Sequence, residues 1–446
     1  MDTMRVQRDS EETVNRWWML VACIIAMMAV ANLQYAWTLF TLPLTKSLNA
    51  ALSAVQIAFT LFILCETWLV PFEGYLVDRL GARQVITAGG VLVGLSWIWS
   101  GMAHSLSGLY LAYALGGIGA GAVYGSCVGT ALKWFPDRRG LAAGATAGAY
   151  GFGTALTVIP INRMILNGGY QSAFITWGII QGIVVLVTAQ FVRSPQRGWK
   201  PAGWVESAPR AVVRSQQSGL SYTPLQMVQT GRFWIMYLMM GLVAFGGLMV
   251  TAQLKPIAHY YHLERHIVLF GITAVAMALV LDRVLNGVTR PFWGWISDHI
   301  GRYNTMAIAF CAEAIAILLL LNLVHRPIWF IVLTGLTFFA WGEIFSLFPA
   351  TIGDLFGPQY ATTNYGIEYT AKGFASIFAG WGAARLMELA GTWVPIFWVA
   401  VVCDLTAAAL AIFWLKPVVL KALARERETP VSATGRPAHS LAGGSD

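Results

Sequence analysis

Two cationic residues lie inside stretches of the sequence that are otherwise apolar. Arg290 stands directly before Pro291 in residues 281–303 (LDRVLNGVTRPFWGWISDHIGRY), and Lys372 lies in a later apolar run. A charged side chain at the centre of a bilayer costs about 2.5–3.5 kcal/mol on insertion scales, so a chain that keeps one there places it against a counter-ion, a cavity or a ligand. Counted along their helices, both cations lie about 12 Å from the same membrane surface. Two cations at one depth on different helices are suited to binding one small anion.

The alternative is that each cation is neutralised within the protein by an acidic residue. Glu368 stands four residues before Lys372, and this spacing places the two side chains on one face of a helix. Two further acids, Glu66 and Glu343, also lie in apolar runs. For these two and for Glu368, gating, proton coupling and a structural role all remain open.

A second arginine lies on the same predicted helix face as the first. Arg283 stands seven residues before Arg290, about 10 Å further from that membrane surface. There it could bind a gate acid or hold an entering anion. Its neighbour Asp282 points to a different side of the helix, so the two do not simply pair. We interpret Glu313 and Asp404, in other apolar runs, as polar contacts between helices.

The sequence gives little support for an enzyme active site or for a metal-binding site. His259, His262 and His266 are clustered, but no set of cysteines or carboxylates accompanies them. The five cysteines lie in apolar runs without a CxxC pair, which is typical of small buried side chains. Nucleotide-binding, nucleophile-elbow and zinc-protease motifs are absent from the sequence. We therefore predict a protein that is not an enzyme, with no catalytic residue, no metal ligand and no cofactor.

Composition indicates a protein that crosses the membrane many times. The chain has 446 residues, of which 57% are hydrophobic and 11% are charged, whereas a soluble protein has about 25% charged residues. The net charge of +8 therefore concerns the loops, and we predict no nucleic-acid partner. Twelve apolar runs are long enough to cross the bilayer. They begin near residues 17, 53, 85, 109, 141, 173, 233, 268, 304, 328, 365 and 394.

A polar, proline-containing interruption divides these runs into two sets of six. The predicted divisions are an N-terminal cytoplasmic segment, a first bundle, a cytoplasmic linker, a second bundle and a cytoplasmic tail expected to be disordered. Their bounds are 1–16, 17–193, 194–232, 233–415 and 416–446. Lysines and arginines concentrate at one set of helix ends, in the linker and in the tail. By the positive-inside rule, the protein is predicted to lie in the inner membrane with both termini cytoplasmic.

A short motif occurs at the same place in each half. Residues 74–81 (GYLVDRLG) follow the second run and residues 294–301 (GWISDHIG) follow the eighth. The glycines permit a tight turn, and the aspartates, Asp78 and Asp298, can cap the next helix. This repeat resembles the major facilitator superfamily. The resemblance implies an all-α membrane protein of twelve transmembrane helices in two pseudo-symmetric six-helix bundles, which rock about a site at the midplane. Asp78 and Asp298 are then expected to control the conformational equilibrium without touching substrate.

Longer segments make the resemblance more specific. Seven of them, spread over nearly all the runs, resemble the oxalate:formate antiporter family. They are residues 33–38 (LQYAWT), 54–60 (AVQIAFT), 133–141 (KWFPDRRGL), 286–294 (NGVTRPFWG), 339–342 (FAWG), 364–366 (NYG) and 371–378 (AKGFASIF). The resemblance implies that Arg290 and Lys372 bind the two carboxylates of the substrate. It also implies a pocket lined by polar and aromatic groups, at Gln34, Tyr35, Gln56, Tyr124, Tyr150 and Trp341.

Some positions depart from that family's pattern. Phe345 and Tyr369, also predicted to line the pocket, stand where the family has Tyr and Trp, and Glu66 stands where a Gln is expected. Glu343 and Glu368 add carboxylates that the resemblance does not require. These departures leave the identity of the anion open.

Charge separates the leading functions. Arg290 and Lys372 together match a dianion such as oxalate, which favours oxalate:formate-type exchange, because an unloaded site with two unpaired charges resists closure. If Glu66 or Glu368 stays ionised in the site, the formal charge of the site falls from +2 to +1. The alternative is then a proton-coupled symporter of a monocarboxylate such as lactate, pyruvate or formate. A membrane sensor without transport is a third, remote interpretation. The expected partners are small carboxylates and the lipid bilayer, and the sequence is compatible with a monomer.

Overall fold

The structure is a computed structural model that describes residues 15–195, 199, 201, 221–269, 271–357 and 359–428. Almost all of these residues are helical, and one short hairpin is the only β-structure among them.

Residues 15–195 form eight helices that make up the first half of the molecule. They are α1 (Arg16–Val30), α2 (Asn32–Tyr35), α3 (Trp37–Ser47), α4 (Leu52–Trp68), α5 (Val70–Leu80), α6 (Ala82–Met102), α7 (Leu106–Trp134) and α8 (Arg139–Phe191). Helix α8 contains two membrane-length helices that meet at Gly169, where the φ of 81° is a conformation that suits glycine.

The second half follows the linker. Its elements are α9 (Pro224–Val228), α10 (Gly231–Tyr260), β1 (Ile267–Leu269), β2 (Ile272–Thr273), α11 (Ala274–Ile300), α12 (Arg302–Leu323), α13 (Pro327–Trp341), α14 (Ile344–Phe356), α15 (Ala361–Ile377), α16 (Ala383–Ala390), α17 (Val394–Ala409) and α18 (Lys416–Glu428). Short π-helical segments, at Phe378–Gly382 and Leu410–Leu415, join α15 to α16 and α17 to α18.

These helices account for the membrane spans. Within the described residues, eight helical segments are long and apolar enough to cross a membrane, and the bent pair α4–α5 raises the number to nine. The division of α8 at Gly169 adds one more span. Helix α11 and the α15–α16 pair are also of membrane length among the described residues, and they are less apolar because they carry the buried charges that include Arg290 and Lys372. The predicted all-α membrane fold is confirmed.

The helices pack as two bundles that meet at the centre of the molecule. In the first half α6 contacts α7 and α8, and in the second half α12 contacts α13 and α17. The halves meet where α4 contacts α15, α8 contacts α11, and α3 contacts α10. Glycines allow the backbones to approach closely here: a Cβ on Gly148 would lie 3.1 Å from the carbonyl oxygen of Gly287.

The helix boundaries differ from the predicted runs in three places. The run expected from residue 268 becomes helical only at Ala274, because Ile267 first pairs with Thr273 in the β1–β2 hairpin, which turns through Gly271 at a φ of 72°. Helix α10 begins at Gly231, two residues before the predicted bundle boundary. The predicted tail continues the last span as α18 up to Glu428. The remaining parts of the N-terminal segment, linker and tail, at 1–14, 196–198, 200, 202–220 and 429–446, lie outside the described residues.

Candidate functional site

Interruptions in three spans carry residues predicted to bind substrate. Gln34 and Tyr35 lie on the four-residue helix α2, between the breaks that separate it from α1 and α3. Trp341 ends α13, and Phe345 lies in the first turn of α14 beyond the break. Lys372 lies on α15, shortly before the π-helical segment. Irregular backbone at membrane depth is tolerated where it lines a cavity or is buried in protein.

The two cations predicted from the sequence lie against one aromatic ring. The Arg290 Cζ is 4.2 Å from the centroid of the Phe345 ring, and the Lys372 Nζ is 5.6 Å from the same centroid. Each side chain is 1% exposed. The structure therefore brings Arg290 and Lys372 into one buried site.

Arg290 keeps unused donors in this site. Its Nη2 donates a hydrogen bond to Oδ1 of Asn286 at 3.1 Å. Its Nε and Nη1 have no hydrogen-bond partner among the described residues, although both atoms are buried. A guanidinium with free donors in a buried site is a binding group for a carboxylate.

Lys372 is joined to an acid from the other bundle. Its Nζ lies 2.9 Å from Oε2 of Glu66, 3.0 Å from the Tyr369 hydroxyl oxygen and 3.4 Å from Oε1 of Gln34. The hydroxyl of Tyr150 donates to the other oxygen of Glu66, Oε1, at 2.7 Å. Glu66 is 1% exposed, so this ion pair is buried where the two bundles meet.

This pairing settles which acid contacts Lys372. The candidate partner suggested by helix spacing is Glu368, but neither carboxylate oxygen of Glu368 has a hydrogen-bond partner among the described residues. With Arg290, Lys372 and Glu66 all ionised, the formal charge of the site is +1 and not +2.

Aromatic side chains predicted for the pocket form a continuous wall around the cations. In favourable pairs of aromatic side chains the ring centroids are generally 4.5–7 Å apart. The contacts in the chain of rings are Tyr35–Tyr150 at 5.5 Å, Tyr150–Tyr124 at 5.3 Å, Tyr124–Tyr369 at 6.1 Å, Tyr369–Phe345 at 6.3 Å and Phe345–Trp341 at 5.1 Å. The structure thus brings these six predicted residues together with Arg290 and Lys372.

Gln56 is not part of this chain of rings and lies in a contact between the bundles. To describe its position, we call the molecular end that carries Arg16 and Lys416 the terminal face, and the opposite end the far face. Gln56 accepts from Nε1 of Trp37 at 2.8 Å and donates to Oε1 of Gln253 at 3.0 Å and to the carbonyl of Ala252 at 2.9 Å. All its side-chain polar atoms are engaged, on the far side of the ion pair.

Other hydrogen bonds also join the bundles toward the far face. Glu388 accepts from the hydroxyl and the backbone N–H of Ser53, each at 2.8 Å. The Lys255 Nζ donates to the carbonyl of Leu39 at 3.0 Å, and the Thr60 hydroxyl to that of Ser376. Opening the site toward the far face requires these bonds to break.

Arg283 lies between two aromatic rings. Its Cζ is 4.2 Å from the Tyr35 centroid and 4.1 Å from the Phe338 centroid. None of its side-chain nitrogens has a hydrogen-bond partner among the described residues, and its neighbour Asp282 is equally buried. Cation–π contacts of this kind stabilise a desolvated guanidinium by about 2 kcal/mol.

The other gating candidates occupy two different environments. Glu343, at the break between α13 and α14, and Glu368 are fully buried, and no hydrogen-bond partner is found for either carboxylate within the described part of the chain. Asp298 is on the terminal face and accepts from Nη1 of Arg302 at 2.8 Å, while Nε of Arg302 donates to Asp354 at 3.0 Å. Asp78 lies in α5, and its side chain is outside the described residues.

Some contacts of the site were not expected from the sequence. Asn286 lies one turn before Arg290, inside the segment that resembles the antiporter family, so its helix spacing was a usable signal. Gln253, Lys255 and Glu388 depend on how distant helices pack, and the sequence carries no local sign of their partners. No group of three or more metal-ligating side chains occurs among the described residues, and His259 instead contacts Glu264 at 2.7 Å.

Two helical bundles around a buried, cation-bearing centre define an integral membrane protein of the transporter class. The profile of the Major Facilitator Superfamily matches residues 22–286 and 283–440. Over 401 residues, 90% of this chain and 91% of the relative, the sequence is 35% identical to the oxalate:formate antiporter of Oxalobacter formigenes. The chain belongs to the Major Facilitator Superfamily and, within it, to the family of that antiporter.

Two more distant relatives are named as transporters as well. The chain is 26% identical over 366 residues to the uncharacterized MFS-type transporter YhjX of Escherichia coli, covering 81% of this chain and 86% of the relative. It is 22% identical over 429 residues to human monocarboxylate transporter 14, covering 80% and 81%.

Proposed function

We propose that the protein is a secondary transporter that exchanges small carboxylate anions by alternating access and acts as a carrier, not an enzyme. The observation that carries the proposal is the buried Arg290 guanidinium, whose Nε and Nη1 have no partner among the described residues. Charged hydrogen bonds from such a group hold a carboxylate strongly and in a defined orientation. The similarity to a protein named for oxalate and formate supports this class of substrate. One chain supplies the whole site, so a monomer is sufficient.

Charge balance favours exchange over one-way transport. The unloaded site carries a formal charge of +1, from Arg290 and the Lys372–Glu66 pair. A bound monocarboxylate brings this charge to zero. Because a buried unpaired charge is costly, the bundles close around a loaded site more readily than around an unloaded one. A carrier that changes conformation mainly when loaded exchanges one anion for another.

Proton-coupled transport of a monocarboxylate is the second candidate, and the position of Glu66 favours it. A carboxylate that is ion-paired at the contact between the bundles is able to change its protonation when that contact opens. The similarity to human monocarboxylate transporter 14 is in keeping with this candidate.

Uptake into reconstituted vesicles tests both candidates. We expect labelled formate to enter vesicles that contain unlabelled formate, and to enter buffer-filled vesicles far more slowly, with no acceleration by a pH gradient. Protein-free vesicles are the control. Acceleration by a pH gradient alone would replace exchange with proton coupling, and no uptake of formate, lactate or oxalate under any condition would contradict both candidates.

We also propose that the protein lies in the inner membrane with its terminal face toward the cytoplasm, as the lysine and arginine distribution predicts. Reporter domains inserted at Gln216 and fused at Ala438, two positions outside the described residues, should both give a cytoplasmic signal. A periplasmic signal at either position would contradict this orientation.

A further inference from the structure

We infer that Glu66 is a carboxylate built into the substrate site, and that it makes the transporter select monocarboxylates over dicarboxylates at neutral pH. The inference rests on the proposed function and names the substrate class of the same site. It starts from the contacts of Glu66, which come from two different helices.

Both oxygens of Glu66 are bound by donors of the site. Oε2 lies 2.9 Å from the Lys372 Nζ, and Oε1 accepts from the Tyr150 hydroxyl at 2.7 Å. Gln34 lies beside the pair, with its Oε1 3.4 Å from the Lys372 Nζ and 3.1 Å from the Tyr150 hydroxyl. Glu66 therefore occupies the donors that a second substrate carboxylate would use.

The free donors are at the other cation. Arg290 donates to Asn286 through Nη2, and its Nε and Nη1 have no hydrogen-bond partner by distance and angle among the described residues. A monocarboxylate needs nothing beyond these donors, and it leaves the Lys372–Glu66 pair intact. The free donors of Arg290 are therefore sufficient to bind one carboxylate.

Binding of a dicarboxylate would disrupt the Lys372–Glu66 ion pair. Arg290 and Lys372 contact the same Phe345 ring, so a short dianion held by Arg290 extends toward Lys372. Its second carboxylate must displace Glu66, which then keeps only the Tyr150 hydrogen bond. An ionised carboxylate that loses its cation in a buried site is strongly destabilised, and this penalty opposes dicarboxylate binding.

A proton on Glu66 removes the penalty. The protonated side chain carries no charge, so the site rises to a formal charge of +2 and matches a dianion. We therefore expect dicarboxylates to bind together with a proton. The ionisable groups near Glu66 include Tyr35, Glu73, Tyr124, Tyr150, Tyr369 and Lys372, and Arg290 lies with Lys372 against the Phe345 ring. Lys372 is the cation bound to Glu66, so the proton competes with Lys372 for Glu66.

Binding to purified protein tests the inference, with formate and oxalate as probes because both stay ionised from pH 5.5 to pH 7.5. For the unmodified protein at pH 7.5 we expect formate to bind at least about tenfold more tightly than oxalate. Lowering the pH to 5.5 should strengthen oxalate binding, by up to about tenfold per pH unit for one linked proton, and leave formate binding nearly constant. Calorimetry in buffers of different ionisation enthalpy should show about one proton taken up per oxalate.

Glu66→Gln keeps the size of the side chain and removes its charge. We expect oxalate to bind at least about tenfold more tightly at pH 7.5 than to the unmodified protein, without pH dependence and without proton uptake. Glu313→Gln is the matched control, since Glu313 is an equally buried acid outside the site, and it should leave the preference unchanged. An unmodified protein that binds neither probe contradicts the proposed function itself. If it binds both, and Glu66→Gln alters neither the preference nor the proton uptake, the inference is wrong while the transport proposal stands.

Discussion

Replacing Arg290 by Lys is expected to weaken carboxylate binding by about 1.5–3 kcal/mol, the value of one charged hydrogen bond, or roughly ten- to a hundredfold. Lysine keeps the charge but not the planar fork, and its ammonium group cannot at once contact Asn286, lie on the Phe345 ring and direct donors at a carboxylate. Vesicle uptake of formate should fall in parallel with binding.

Titration of purified protein with formate measures this loss. Arg326→Lys is the matched control, because Arg326 is exposed and lies at the start of α13, away from the site, and it should bind formate like the unmodified protein. Equal formate affinity in Arg290→Lys and the unmodified protein would show that Arg290 contributes charge alone or does not contact the anion.

Replacing Lys372 by Met is expected to destabilise the protein strongly, because it leaves Glu66 buried without a cation. Removing one partner of a buried ion pair costs about 3–5 kcal/mol, and this pair is 1% exposed on each side. A second change, Glu66→Gln, removes the orphaned charge, so the double variant Lys372→Met/Glu66→Gln should recover most of the lost stability. Thermal unfolding of the unmodified protein, Lys372→Met and the double variant in detergent provides the comparison.

Ligand binding separates the two roles of Lys372. The double variant should still bind formate through Arg290 and should bind oxalate poorly, since the second cation is gone. If Lys372→Met unfolds at the temperature of the unmodified protein, Glu66 is not an ionised partner in the folded state. If the double variant loses formate and oxalate binding equally, Lys372 supports the architecture of the site without binding one end of a dianion.

The sequence was sufficient to predict that Arg290 and Lys372 lie close together in one candidate site, but not to predict the partner of Lys372. A charge inside an apolar run is visible without any structure, so Arg290 and Lys372 were predicted directly. Glu66 lies 306 residues from Lys372, and their contact exists only because α4 packs against α15. The local spacing instead suggested Glu368, whose carboxylate has no partner among the described residues.

Two other differences have similar physical origins. Gln56 was placed in the pocket by resemblance, yet its amide bonds to Ala252 and Gln253 of α10 near the far face. Residues 267–273 read as the start of an apolar span, but Ile, Val and Leu are compatible with strand as well as helix, and Gly271 allows the turn between β1 and β2. Hydrophobicity indicates that such a segment is buried or interfacial, but it does not determine the backbone conformation of the segment.

The ion pair between the bundles has an electrical consequence. Moving one elementary charge through a membrane potential of 100 mV involves about 2.3 kcal/mol, whereas the opposite charges of Lys372 and Glu66 are 2.9 Å apart, and their net charge is zero. Within the site the potential therefore acts on the remaining charge, that of Arg290, and we expect a bound monocarboxylate to cancel it. We therefore expect exchange of one monocarboxylate for another to proceed at the same rate in polarised and depolarised vesicles, and voltage to affect the return of the unloaded carrier.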